Sequence, residues 1–280
     1  MIDANKHIGT CDVLFITLDT LRYDAAEAAT AAGMTPELAG VLPDGQWERR
    51  HSPGNFTYAA HHAFFAGFLP TPVGPGPHPR LFAARFPGSE TTCDETFVFD
   101  APDLASGLTK CGYRTICVGG VGFFNGRSPL GEVFARMFQE SYWAPELGVT
   151  DPQSTENQVK LAVDRLRSLD DKERVFLFLN VAAIHQPNCS YLEGATEDSV
   201  QSQSAALAYT DRHLGRLIRQ FRRRAPLLCI ITSDHGTAYG EDGYHGHRVA
   251  HPVVWDVPYA EMLLDPLPVL RPIGSAGRGV

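Results

Sequence analysis

The sequence predicts an α/β fold in which a central, largely parallel sheet is sandwiched between helices. Three runs of strand length are apolar almost throughout, which is typical of strands that helices cover on both faces: residues 13–18, 175–179 and 227–231. A shorter mixed run at 113–118 predicts a fourth strand. Residues 155–169 and 200–221 carry apolar side chains at helical spacing. Strands that alternate with helices in this way favour a parallel sheet.

The composition predicts one globular domain. The chain has 280 residues, of which 44% are hydrophobic and 20% are charged, and this balance excludes a disordered protein. We expect a single domain over residues 1–266 and a flexible tail over 267–280. Residues 71–79 are rich in proline and glycine and predict a surface loop inside that domain.

The charge balance bears on partners. With 24 basic and 32 acidic residues the net charge is -8, which disfavours nucleic acid as a main partner but still permits a small anionic substrate. The arginines at 222–224 end a predicted helix, where they are interpreted as a solvated face or as charges favourable to the helix end.

The same sequence bears on compartment. No apolar run is long enough for a membrane span, and the first residues lack the pattern of a signal peptide. The six cysteines show no CxxC pair, and several lie in apolar runs, as buried reduced thiols do. We therefore expect a cytoplasmic protein.

Polar side chains follow the first and the last predicted strands. Asp19 comes directly after the first strand, and Asp234 and His235 follow the last. In open α/β sheets ligands bind beyond the carboxyl ends of the strands. Two carboxylates and an imidazole at this edge suit a divalent cation such as Zn²⁺ or Mn²⁺, although Asp19 alone would also serve as a helix cap.

Two further stretches point to the same chemistry. A glycine-rich segment after Asp234 carries four histidines, which either face a ligand or belong to a solvated loop: His235, His245, His247 and His251. A predicted helix begins near Thr57 and ends near Gly67. Threonine at a helix start is usually a cap, but a helix N-terminus also stabilises an alkoxide or a bound anion.

Several motifs occur together and in a fixed order along the chain. They are LDTLRYD at 18–24, TYAAH at 57–61 followed by GFLP, SDHG at 233–236 with a later HGH, and more weakly AYTDRHLGRLI at 208–218. This set resembles the alkaline phosphatase/sulfatase superfamily over about residues 12–264. The resemblance is closest to short, stand-alone bacterial sulfatase-like metalloenzymes, and it implies an alkaline-phosphatase-like sheet without the C-terminal subdomain of sulfatases.

The resemblance implies a set of metal ligands. One divalent metal ion is expected, with Zn first and Mn, Ca or Mg as alternatives. The implied ligands are Asp19, Thr57, Asp234 and His235. Members with two metals have an aspartate and a histidine four residues later, where this chain has Asn180 and Ile184, so one ion is expected.

The resemblance also implies catalytic and substrate-binding residues. Thr57 stands where the covalent nucleophile lies, and His185 or His245 would protonate the leaving group. The implied substrate-binding residues are His61, His185, His245 and His247, with His245 and His247 as competitors for one position.

The nucleophile position decides between activities. Sulfatases of the formylglycine type need a cysteine or serine, whereas this chain has Thr57, followed by Ala59 and Ala60 in place of proline and serine. The expected activity is therefore that of a metal-dependent phosphoryl-type hydrolase or transferase. It would act on a phosphoester, phosphodiester or phosphonate of a small metabolite or modified peptide through a covalent threonine intermediate. Two alternatives stay open: a catalytically degenerate member that binds a metal or anion, and a sulfatase with an atypical nucleophile.

Overall fold

Eleven strands and eight helices make up the described part of the chain. The structure is a computed structural model that describes residues 1–67, 80–82, 96–98 and 102–268. The loop predicted at 71–79 and the predicted tail beyond 268 lie outside the described residues.

Seven of the strands form one sheet. In chain order the strands are β1 (Asp12–Leu18), β2 (Glu48–His51), β3 (Arg80–Phe82), β4 (Thr96–Val98), β5 (Arg114–Val118), β6 (Glu140–Tyr142), β7 (Val175–Val181), β8 (Leu227–Thr232), β9 (Ala238–Tyr239), β10 (His245–Gly246) and β11 (Asp256–Leu264). The order across the large sheet is β2-β11-β8-β1-β7-β5-β6. The run from β8 to β6 is parallel, and β11 is antiparallel to both of its neighbours. The predicted strands and the largely parallel sheet are thus confirmed.

The helices cover both faces of this sheet. They are α1 (Tyr23–Ala31), α2 (Pro36–Ala39), α3 (Thr57–Ala66), α4 (Leu104–Lys110), α5 (Pro129–Ala135), α6 (Ser154–Arg167), α7 (Val200–Arg222) and α8 (Pro252–Trp255). Apolar residues of α1, α2, α6 and α7 share one buried cluster, and those of α3, α4 and α5 share the other. The sandwich predicted from the sequence is confirmed.

Strand β1 lies at the centre and serves both cores. Leu14, Ile16 and Leu18 belong to one cluster, while Val13 and Phe15 belong to the other, because successive side chains of a strand point to opposite faces. Both faces are buried, which explains why the run is apolar throughout.

The register of β1 with its neighbours brings three strand ends together. Leu18 pairs with Val181 of β7, and Thr17 pairs with Thr232 of β8. The residues that follow these strands therefore emerge side by side at the carboxyl edge of the sheet.

One sequence-based interpretation is wrong. The side chain of Arg224, expected on a solvated face or at a helix end, is 2% exposed and pairs with the carboxylate of Asp12. The guanidinium also donates to the carbonyl oxygens of Leu166, Asp170 and Glu173, so it joins the end of α6 and the loop that follows it to the start of β1.

Two simple observations concern the surface and the thiols. No helix among the described residues is both long enough and apolar enough to cross a bilayer. The cysteines of these residues are free, with Cys11, Cys117 and Cys229 buried, Cys189 partly buried and Cys111 exposed.

Candidate active site

Two strands deliver three polar side chains to one point at the carboxyl edge of the sheet. Asp19 follows β1, and Asp234 and His235 follow β8. Each offers one ligand atom, and these three atoms lie within 4.8 Å of one another. All three residues are fully buried, so the structure brings together the side chains that the sequence predicted to meet.

Asp19 is held by one oxygen and leaves the other free. Its Oδ2 accepts a hydrogen bond from Nδ2 of Asn180 at 3.0 Å. Its Oδ1 is buried and has no hydrogen-bond partner. A buried carboxylate oxygen without a partner is costly, and a bound cation would remove that cost.

Asp234 repeats this pattern. Its Oδ1 accepts from the backbone N–H of Thr20 at 3.1 Å and of His235 at 3.0 Å, while its buried Oδ2 has no hydrogen-bond partner. Thr20 adopts a φ of 62°, which is rare for a β-branched residue. That strained conformation allows the Thr20 N–H to reach the carboxylate.

His235 presents one ring nitrogen to the same point. Its Nδ1 donates to the carbonyl oxygen of Gly236 at 2.8 Å, so that Nε2 carries the lone pair. Nε2 lies 3.3 Å from Oγ1 of Thr57 and 3.5 Å from Oδ2 of Asp234. Burial lowers the pKa of His235, which keeps the ring neutral and able to bind a metal.

The electrostatics of the cluster call for a cation. Burial and the neighbouring charge of Asp234 together raise the pKa of Asp19 to about 6, although His185, His235 and the hydrogen bond from Asn180 offset part of the rise. Burial likewise raises the pKa of Asp234 to about 7. Two carboxylate oxygens without hydrogen-bond partners, and an imidazole nitrogen whose partner is the Thr57 hydroxyl, fit one divalent ion with oxygen and nitrogen ligands.

A second ion has no comparable ligands here. Asn180 uses its amide to donate to Asp19, and the side chain of Ile184 belongs to the apolar core. Among the residues that the structure describes, the cluster of Asp19, Asp234 and His235 is the one group whose geometry suits a metal.

Thr57 is the first residue of α3. Phe56 takes the N-cap position, so Thr57 does not cap the helix as threonine usually does. Its side chain is 3% exposed, and its hydroxyl lies where the positive end of the helix dipole stabilises negative charge. Gly67, with a φ of 71°, ends the helix as the sequence predicts.

A cavity of about 400 Å³ opens beside Thr57, and two histidines line it. Nδ1 of His185 donates to the carbonyl oxygen of Gln186 at 2.5 Å, so Nε2 is the atom left for a substrate. The ring of His247 lies 4.7 Å from that of His235 and 5.9 Å from that of His185. Burial and the charges of neighbouring groups lower the pKa of His247 to about 4.

Comparison with known proteins identifies the family. The family model described as Sulfatase matches residues 12–260. The chain belongs to the sulfatase family. No curated protein matches this sulfatase-family chain significantly in sequence.

Solved structures similar to this sulfatase-family protein share its fold. The integral membrane lipooligosaccharide phosphoethanolamine transferase A from Neisseria meningitidis is 14% identical, with a TM-score of 0.60, and the match covers 91% of this chain and 48% of that one. This sulfatase-family chain thus spans about half of the transferase's length.

Two further solved structures show the same likeness. The C-terminal periplasmic domain of EcEptC from Escherichia coli, in complex with Zn, is 14% identical, with a TM-score of 0.58 and coverages of 91% and 73%. A protein in the alkaline phosphatase superfamily from Vibrio parahaemolyticus is 16% identical, with a TM-score of 0.55 and coverages of 93% and 62%. The sulfatase-family chain therefore shares the fold of a protein in the alkaline phosphatase superfamily, and its predicted fold class is confirmed.

Of the two competing histidines of this sulfatase-family protein, His245 lies away from the cavity and His247 lines it. His245 is exposed on the β9–β10 hairpin, where it pairs with Tyr239, whereas His247 faces the cavity. The turn between them reverses which side chain points inward, and the sequence alone left that choice open.

His61, expected to bind substrate, is instead fully buried beneath Thr57. Its Nδ1 donates to the carbonyl oxygen of Thr57 at 2.7 Å, and its Nε2 accepts from Oγ1 of Thr17 at 3.0 Å. Burial lowers the pKa of His61 to about 3. Five aromatic rings surround the imidazole: Phe64, Phe65, Phe124, Phe134 and Phe178. Both nitrogens are occupied, so the neutral ring fixes the start of α3 against β1.

Asn180 is a site residue that the sequence analysis did not place in the site. Its Nδ2 donates to Asp19 and to Oγ1 of Thr17, and its Oδ1 accepts from the N–H of Gly120 at 3.2 Å. A polar residue at the end of the otherwise apolar run 175–179 was the available signal. Arg22 pairs with Asp24 and with Glu241.

Proposed function

We propose that this protein is a metal-dependent phosphoryl hydrolase or transferase that works through a covalent intermediate on Thr57. The observation that carries the proposal is the position of the Thr57 hydroxyl, 3.3 Å from Nε2 of His235 and at the N-terminus of α3. A nucleophilic oxygen beside unpaired ligand atoms is the arrangement that activates an alcohol. The Neisseria meningitidis structure that shares this fold is named a phosphoethanolamine transferase, which supports a phosphoester as substrate.

The ligand set fits one divalent cation, for which zinc is the first choice because one neighbour was solved with Zn. The holding atoms would be Oδ1 of Asp19, Oδ2 of Asp234, Nε2 of His235 and Oγ1 of Thr57. When bound, such an ion supplies positive charge that lowers the pKa of the threonine hydroxyl and stabilises the phosphoryl oxygens.

The residues of the chain then carry a two-step displacement. Thr57 Oγ1, having lost its proton to solvent, attacks phosphorus, and the bond from phosphorus to the leaving oxygen breaks as the new bond forms. A ring nitrogen of His185 gives the leaving oxygen its proton. Water or an acceptor alcohol next attacks phosphorus, the bond to Thr57 breaks, and the threonine oxygen recovers a proton. Water as acceptor gives hydrolysis, and an alcohol gives transfer.

Thr57→Ala tests the nucleophile. In zinc-loaded protein we expect release of p-nitrophenol from p-nitrophenyl phosphate and bis-p-nitrophenyl phosphate to fall by about 10³-fold or more. Thr57→Ser, the matched control, keeps the attacking oxygen and should keep measurable turnover. Intact-protein mass spectrometry of quenched wild type should show one added phosphoryl group that Thr57→Ala lacks.

Metal analysis and further substrates distinguish the proposed enzyme from the degenerate binding protein and from the sulfatase. Elemental analysis should find close to one equivalent of divalent metal in wild type and Thr57→Ala, and a loss in Asp234→Ala. Undiminished turnover in Thr57→Ala would contradict the nucleophile assignment. Metal binding without turnover of any ester would indicate the degenerate binding protein, and faster release from p-nitrophenyl sulfate would indicate a sulfatase.

A further inference from the structure

The cavity beside Thr57 has two walls of different character. One wall is formed by Thr57 with His185 and His247. The remaining lining includes four apolar side chains: Val121, Phe123, Leu130 and Val149. Its volume of about 400 Å³ lies within the range of roughly 300–1,000 Å³ that small-molecule sites occupy.

The apolar wall is fixed in place by close packing. It begins in the loop after β5, where a Cβ atom on Gly119 would lie 2.3 Å from Cβ of Phe124, and one on Gly120 would lie 2.4 Å from the carbonyl oxygen of Asn180. The Gly120 N–H also donates to Asn180, whose amide holds Asp19. One side chain therefore ties this wall to the candidate metal ligands, which sets the distance between them.

The described residues of this wall offer no partner to a positively charged substituent. Within the described part of the lining there is no carboxylate to face an ammonium group, and the titratable residues there are His185 and His247. Leu130 is nevertheless 47% exposed at the edge of the cavity. When a ligand covers an exposed leucine in a concave apolar wall, the removal of that apolar surface from water favours binding.

We infer that the substrate carries an apolar group, aryl or alkyl, which lies against Val121, Phe123, Leu130 and Val149 while its phosphoryl group reaches Thr57. The inference rests on the proposed function, since that function places the phosphoryl group. It deepens the proposal by excluding an aminoethyl headgroup as the preferred substituent. The selecting residues belong to the loop after β5, to the first turn of α5 and to the connection between β6 and α6.

Three phosphonates that differ in one substituent test the inference. Isothermal titration calorimetry on the zinc-loaded protein should give a dissociation constant for phenylphosphonate about 10-fold or more below that for methylphosphonate, because the phenyl ring buries more apolar surface. The dissociation constant for 2-aminoethylphosphonate should be no lower than that for methylphosphonate. Leu130→Asp should reduce the preference for phenylphosphonate several-fold.

A matched variant controls for the new charge. Leu104 is also an exposed leucine in the first turn of a short helix, at 38% exposure, and it does not line the cavity. Leu104→Asp should therefore leave the phenyl preference unchanged. An equal fall in both variants would overturn the assignment to Leu130.

The outcomes for the two proposals are separable. Equal dissociation constants for the three phosphonates would overturn the inference that the wall selects an apolar group. Turnover that still depends on Thr57 would, in that case, leave the proposed function standing. Preferential binding of phenylphosphonate without turnover of any ester would support the wall and contradict the enzyme. Failure of all three phosphonates to bind would overturn the inference.

Discussion

The two ends of β1 each bury a carboxylate, and the chain treats them in opposite ways. At the amino end, Asp12 accepts from the N–H of Val175 at 3.0 Å and lies 3.2 Å from Arg174 and 3.3 Å from Arg224. Burial raises the pKa of Asp12, while the Val175 N–H and the two guanidinium groups lower it and offset part of that rise. At this end of the strand, two guanidinium groups and a backbone N–H thus face the buried carboxylate.

At the carboxyl end, Asp19 has no such partner. The amide of Asn180 holds one oxygen, the other has no hydrogen bond, and the neighbouring carboxylate of Asp234 raises the pKa further. The two carboxylates lie in one strand and are equally buried, so burial alone does not explain the difference. The missing positive charge at Asp19 indicates that a cation belongs there, whereas Asp12 serves the fold.

The largest expected effect comes from removing a charged partner of Asp12 at the amino end of β1. Arg224→Met keeps much of the side-chain volume but leaves Asp12 with one cation fewer and several carbonyl oxygens without a donor. We expect the free energy of unfolding to fall by about 3–5 kcal/mol, measured by urea denaturation of the metal-free protein. Arg223→Met, at the exposed neighbouring position, should change it by less than about 0.5 kcal/mol. Comparable losses of unfolding free energy in both variants would contradict the structural role of Arg224 at Asp12.

A smaller effect of opposite sign distinguishes the two carboxylates. In metal-free protein at neutral pH, Asp19→Asn removes a buried charge beside Asp234 and should raise the free energy of unfolding by about 1–3 kcal/mol. Asp12→Asn removes a charge that two arginines compensate and should lower it by about 1–3 kcal/mol. Thermal denaturation of the two variants, with chelator present, measures both signs. Destabilisation by both would show that Asp19 is satisfied without a cation.

The same pair of variants should behave differently when zinc is added. Asp12→Asn keeps the ligand atoms and should gain as much thermal stability from zinc as wild type does. Asp19→Asn lacks a ligand charge and should gain much less. An equal gain in both variants would place the ion elsewhere.

The sequence predicted the carboxyl end of β1 better than the amino end. Asp19, Asp234 and His235 directly follow apolar runs, and strand ends in a parallel sheet converge, so adjacency in sequence was enough to place them. The partners of Asp12 lie at residues 174–175 and 224, and no local pattern links them. Arg224 was therefore interpreted as solvated because its neighbours Arg222 and Arg223 extend the run of charge.

Side-chain direction set the other limit. The motif at 57–61 identified Thr57 and His61 together, but one turn of helix separates them, and the aromatic packing that buries His61 comes from distant elements. The order of His245 and His247 depends on a two-residue strand, which hydrophobic periodicity does not resolve. Asn180 acts through its contacts with Asp19 and Gly120, which only the folded chain brings together.

The smallest expected effect is a pH dependence of stability that arises at the candidate metal ligands. Burial raises the pKa of Asp19 from 3.8 to about 6 and that of Asp234 from 3.8 to about 7. In the metal-free folded state both carboxyl groups hold protons that the unfolded state has lost, so their contribution to stability falls as pH rises from about 4 to 7. The lowered pKa values of His61, His235 and His247 act in the opposite direction, because these rings are neutral in the folded state and protonated in the unfolded state. Asp19→Asn removes one falling contribution, so the free energy of unfolding of the metal-free variant should rise with pH relative to that of wild type, by about 1 kcal/mol per pH unit between about pH 4 and 6. Zinc binds the deprotonated carboxylates, so it should stabilise wild type more at pH 7 than at pH 4. Urea denaturation with chelator and with zinc measures these slopes, and equal metal-free slopes in the two proteins would assign the titration to other groups.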